Sequence, residues 1–125
     1  MTIKAVIGLG FGDEGKGLVT NSLCHQHPDA TVIRYIGVRQ AGHTVHTKDS
    51  ESHVFSNFGS GSFVGCPTYW SEFCTIDPMG ILKEHSILKD KGVNPILFIN
   101  TKCPVTTPYE RNFYNSSHGT CGVGV

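Results

Sequence analysis

An apolar run, a glycine-rich loop, an amphipathic segment and a second apolar run follow one another without a break over residues 3–36. Residues 3–8, IKAVIG, read as a buried strand running into glycines. Residues 15–27 read as a helix, with Leu18, Val19, Leu23 and Cys24 near the 3.6 period and Pro28 beyond the end. Residues 31–36, TVIRYI, are β-branched and aromatic and read as a second strand. Strand, loop, helix and strand in this order need a crossover and favour parallel pairing. The expectation is therefore an α/β fold with a mostly parallel sheet and a P-loop-like strand-loop-helix start.

The rest of the chain fits a single region of the same class. Residues 37–76 are rich in Gly, Ser, His and Thr, with a strand expected at 53–58 and short pieces around Thr68 to Thr75. Asp77-Pro78 supplies an N-cap and a proline at the first helical position. Ile81, Leu82, His85 and Leu88 then fall on one face, with His85 read as a packed histidine, and Gly92 is the stop. Residues 95–100, PILFIN, read as a third buried strand. The tail, through HGTCGVGV, ends inside a glycine-rich run with no element after it to hold a turn. Residues 1–125 are accordingly read as one α/β region, an amino-terminal fragment or a truncated gene product.

Composition excludes more than it assigns. Ten basic and ten acidic residues cancel, so no overall field draws the chain to nucleic acid or to an anionic membrane. No leader or membrane-spanning stretch is visible, which points to a cytoplasmic protein. The cysteines, Cys24, Cys66, Cys74, Cys103 and Cys121, are odd in number and lack a C-x-x-C pair, so free buried thiols are expected rather than a disulfide or zinc framework. Cys24-His25-Gln26-His27 reads as the polar end of a helix.

Gly10 to Lys16 spell G-x-x-x-x-G-K, but Gly17 stands where a Walker loop carries the Ser or Thr that holds Mg2+. A glycine loop opening a helix aims backbone N–H groups and the positive end of the helix dipole at one place, and Lys16 adds a point charge there. Asp13 and Glu14 are poor neighbours for a phosphate unless a cation or a proton transfer requires one of them. A surface turn with two solvated acids is the alternative. The second motif, RQAGHTVHT from Arg39 to Thr47, places His43 just beyond the second strand, where open α/β sheets bind ligands.

GFGDEGKG followed by VIRYIGVRQAGHTV resembles the start of adenylosuccinate synthetase, whose pattern is W-G-D-E-G-K-G and then V-x-R-Y-x-G-G-x-N-A-G-H-T. Order and spacing both agree. HGTCGVGV resembles the family's later G-T-T-G-R-G-I-G loop. The resemblance implies a homodimeric, GTP-dependent ligase that phosphorylates the 6-oxygen of inosine monophosphate and lets aspartate displace the phosphate. Within it, Asp13 is expected to take the N1 proton and His43 to act as the acid, while Mg2+ is held by Asp13 and the carbonyl of Gly42. Gly12, Glu14, Gly15, Lys16, Gly17, Gly42 and Thr44 would bind GTP, and Gln40, Ala41, Thr120 and Cys121 the acceptor nucleotide.

Departures from the pattern are uneven. Phe11 replaces Trp, Val38, Arg39 and Gln40 replace G-x-N, and Ser56 to Gly61, SNFGSG, replaces H-L-I-P-S-G. Cys121 and Val123 replace a Thr and an Arg. The GTP and Mg2+ side is intact and the acceptor side has drifted, so a related purine nucleotide such as dGMP is an expected acceptor. A truncated, non-catalytic phosphate-binding module is the second expectation, and a ligand-free interaction domain the third.

Overall fold

The computed structural model describes residues 2–35, 42–47 and 51–107. Helix α1 spans Lys16–Gln26, strand β1 Val32–Arg34, β2 His43–His46, β3 Ser52–Phe55, β4 Thr68–Trp70, helix α2 Pro78–Asp90 and β5 Leu97–Ile99, with a 3-10 turn at Ser62–Val64. Strands β1, β4 and β5 form a three-stranded parallel sheet in that order. Val32 stands beside Thr68 and Arg34 beside Trp70, and Trp70 stands beside Ile99. Strands β2 and β3 form a separate antiparallel ribbon, with His43 opposite Phe55.

Local chemistry sets the helix boundaries. The Asp77 side chain accepts a hydrogen bond from the Gly80 N–H at 3.2 Å, and Pro78 occupies the first position, where a missing N–H costs nothing. Gly92 takes φ 75° just after α2, the left-handed stop that glycine adopts without a steric penalty. Helix α1 ends at Gln26 with Pro28 beyond it, so the Cys24 to His27 stretch is the end of a helix as expected. No group of metal-ligating side chains exists there or elsewhere among the described residues.

Two apolar clusters hold the layers together. Val45, Phe55, Phe58 and Leu88 form one, and Trp70, Cys74 and Cys103 the other, with Leu97 packed against both. Cys24, Cys66, Cys74 and Cys103 are free and buried, as expected. Burial, with the Cys66 thiol beside it, pushes the Cys24 thiol up to about 12, which makes it inert as a nucleophile. Cys121 lies outside the described residues.

Four expectations are corrected. Residues 3–8 form no strand: Ile3, Ile7 and Leu9 are exposed, and the segment pairs with neither edge of the sheet. An apolar run records surface that gains from cover, but a strand needs a hydrogen-bonded neighbour as well. Strand β5 is not buried on both faces, because it is an edge strand with Phe98 and Ile99 partly open. On α2 the inward positions are Glu84 and Leu88, while Leu82 is exposed. Finally, residues 43–46, expected as irregular, form β2, whose HTVH sequence alternates between exposed and covered positions.

Candidate functional site

The loop after the amino-terminal segment is shaped by its backbone. Gly12 takes φ 112°, Asp13 φ 53° and Gly15 φ 73°. A left-handed Asp is tolerated because its short polar chain relieves the clash that other side chains meet. Gly15 is the N-cap of α1 and has no side chain to cap the helix. The first-turn N–H groups therefore remain available to an anion, at the positive end of the dipole.

Part of this cradle is filled by the chain's own carboxylate. Glu14 pairs with Lys16 Nζ at 2.7 Å and also accepts from the Gly10 N–H. The Lys16 contact, followed by the Gly10 N–H, holds the Glu14 carboxyl below the usual range. Here Glu14 stands in for an anionic ligand, so a phosphate reaching Lys16 must displace it. Asp13, by contrast, is exposed and makes no hydrogen bond or ion pair with a described residue. Its carboxylate is a hard oxygen donor, the type a magnesium ion takes. A cleft of ≈ 310 Å³ runs from Glu14 and Lys16 between Ile7 and Val19 of α1.

The second motif comes to the same place. A Cβ added to Gly17 would stand 2.8 Å from His43 Cβ and 3.1 Å from Ser60 Oγ. Gly17 thus permits β2 and the loop before the 3-10 turn to close on the first turn of α1. His43 is half-buried, and burial, then Arg34, then Lys16, pull its pKa below the ordinary value. Its imidazole is therefore neutral at pH 7 and offers one N–H to a ligand. Because the folded-state value is the lower one, acidification below about 6.5 protonates the unfolded chain first and costs stability.

The other expected site residues are less connected. Gly42 precedes β2 and would bring a Cβ to 2.7 Å from Val54 Cγ1, and Thr44 is exposed on β2 opposite Val54. Gln40, Ala41, Thr120 and Cys121 lie outside the described residues.

Three residues not singled out from the sequence complete the arrangement. Glu84 of α2 receives the Asn57 N–H and Nδ2 at 2.7 Å each, the Ser56 N–H at 3.1 Å and His53 Nε2 at 3.3 Å. Arg34 donates to the Ser56 carbonyl and lies 5.4 Å from the centre of the Trp70 ring, whose Nε1–H donates to the Asn57 carbonyl at 2.7 Å. Residues 56–58 are thus held by their N–H groups from one side and their carbonyls from the other, which places Ser60. The available signals were a charge inside each apolar pattern, Arg34 in TVIRYI and Glu84 on the α2 stripe.

Gly17→Ser would restore the Walker serine, and pattern logic alone predicts a better metal loop. The structure predicts the reverse, since the new Cβ meets His43 at 2.8 Å. Overpacking of this kind costs about 1–3 kcal/mol. Thermal denaturation should show a lower Tm than wild type, and an unchanged or higher Tm would contradict the packing described.

Comparison with known proteins decides the family. The adenylosuccinate synthetase family pattern matches residues 5–123. The chain belongs to the adenylosuccinate synthetase family. It is 31% identical over 123 residues to the adenylosuccinate synthetase of Borrelia duttonii, covering 98% of this chain and 28% of that protein. It is 36% identical over 111 residues to that of Leishmania infantum, covering 85% of this chain and 15% of the relative. Among solved structures, the cyanophage S-2L succinoaminodeoxyadenylate synthetase bound to dGMP and dATP superimposes with a TM-score of 0.67 at 20% identity, covering 86% of this chain and 30% of that one. The fully ligated adenylosuccinate synthetase of Plasmodium falciparum also gives 0.67, at 17% identity, covering 84% and 24%. This family member therefore spans under a third of the length of these relatives and shares their fold.

Proposed function

We propose that this adenylosuccinate synthetase-family chain forms the phosphate- and Mg2+-binding part of a GTP-dependent ligase. Such a ligase joins aspartate to the 6-position of a purine nucleotide, inosine monophosphate or a relative such as dGMP, through a 6-phosphoryl intermediate, in a homodimer. The observation that carries the reading is the meeting of Gly17 with His43, which joins the two motifs at one helix terminus. Lys16 and the first-turn N–H groups of α1 would hold phosphate, and His43 would donate its N–H to the transferring group. Asp13 would serve as the base for the N1 proton. Mg2+, when bound, would be held by Asp13 and the Gly42 carbonyl and would offset phosphate charge.

The cyanophage enzyme is described as bound to dATP as an energy donor, so both adenine and guanine triphosphates belong in the test. In ring-nitrogen NMR of the full chain, saturation with Mg-GTP or Mg-dATP should raise the His43 pKa above its ligand-free value, because a phosphate replaces two neighbouring cations as its closest charge. Lys16→Ala should weaken that response. A His43 signal indifferent to both nucleotides would defeat the proposal.

A second reading, a non-catalytic module that binds nucleotide phosphate, rests on the same uncapped start of α1 and Lys16. It predicts the same His43 response without turnover.

A further inference from the structure

The two oxygens of the Glu14 carboxylate are held by two different donors. The Gly10 N–H donates to Oε1, and the Lys16 ammonium donates to Oε2 at 2.7 Å. Two glycines leave the space: a Cβ at Gly10 would stand 3.0 Å from Oε1, and one at Gly8 would run into Oε2 and stand 2.6 Å from Lys16 Nζ. The anion position is thus walled by backbone at Gly8 and Gly10 and by one cation. It is also within reach of a ligand, since the Glu14 and Lys16 side chains keep 26% and 32% of their surface open and line the ≈ 310 Å³ cleft.

A carboxylate held in this way maps where another anion fits. A phosphate group likewise presents two oxygens on one atom, each able to accept from its own donor, and it brings more negative charge to the lysine. An exposed ion pair adds little stability, so a more highly charged anion can replace it.

We propose that the Gly10 N–H and the Lys16 ammonium together bind two oxygens of one nucleotide phosphate group, and that Glu14 fills this two-donor site until the phosphate displaces it. This rests on the phosphate-binding reading above and deepens it. Gly10 becomes a binding residue, and Glu14 competes with the nucleotide instead of contacting it, lowering apparent affinity by the fraction of the site that stands open.

The test measures GTP affinity by calorimetry, with Mg2+ and with EDTA, in the full chain and in two variants whose expected effects have opposite signs. Glu14→Ala removes the competitor and should tighten binding about three- to fivefold in both conditions, the scale of one exposed ion pair. Gly8→Ala puts a methyl group where the anion sits and should weaken binding about tenfold, because it excludes phosphate as well as carboxylate. In amide NMR of Glu14→Ala, the Gly10 N–H signal should move downfield on saturation with GTP. Unchanged or weaker binding in Glu14→Ala would overturn the proposal. Unchanged or tighter binding in Gly8→Ala would overturn it too, by placing the phosphate elsewhere, as would a Gly10 signal that GTP leaves unmoved. If neither wild type nor Glu14→Ala binds GTP, the underlying phosphate-binding reading fails as well; if both bind equally, only this inference does.

Discussion

Glu84→Ala is expected to destabilise the chain by about 3–5 kcal/mol, the range for removing one member of a buried, hydrogen-bonded charge cluster. Glu84 is 6% exposed and every group around it is a donor: backbone N–H groups at Ser56 and Asn57, Asn57 Nδ2 and His53 Nε2. Alanine leaves these donors buried without an acceptor. Burial pulls down the pKa of Arg34, and Cys74 and Glu84 oppose it, so the guanidinium also loses a countercharge. Set against a typical total of about 5–15 kcal/mol, this removes much of the margin. Urea denaturation at pH 7 would read it directly. A midpoint close to that of wild type would show that segment 56–58 is held by apolar packing alone.

Asp13→Asn is expected to cut turnover by about 10²–10⁴-fold, the usual contribution of a positioned general base, while changing GTP affinity only a few-fold. Asparagine tolerates the left-handed backbone at φ 53°, so the loop keeps its shape and only the carboxylate is lost. Asp13 has no hydrogen bond or ion pair with a described residue, so no interaction with those residues is removed with it. The assay pairs GTP or dATP with aspartate and a panel of inosine, guanosine and deoxyguanosine monophosphates. Equal turnover in variant and wild type would remove Asp13 from the chemistry. A wild-type chain that binds nucleotide without turnover would select the binding-module reading, and a strong preference for inosine monophosphate would remove the idea of a related acceptor.

Much of the site can be read from the sequence because its parts are local. The turn from Gly12 to Lys16 is written in glycines that permit positive φ, and helix α2 is bounded by Asp77-Pro78 and Gly92, each acting within a few residues. The two motifs sit in an order and spacing that mark the family, and the family match confirms it. Periodicity also indicates which surfaces gain from cover.

Only the tertiary structure decided what covers them. Residues 3–8 carry the composition of a strand but lack a ladder partner, and β5 reads as buried but lies at an edge. The inward place of Glu84 on α2 depends on donors at residues 53–58, which no helical period can reveal. The position of Gly17 shows this most directly. Its sequence says that a hydroxyl is missing from the loop; the fold shows why a side chain there would clash with His43, and that the hydroxyl of Ser60 stands beside it. Short-range sterics and hydrogen bonding fix the backbone of a turn or a helix end, whereas contacts between residues far apart in the chain depend on the path of the strands between them.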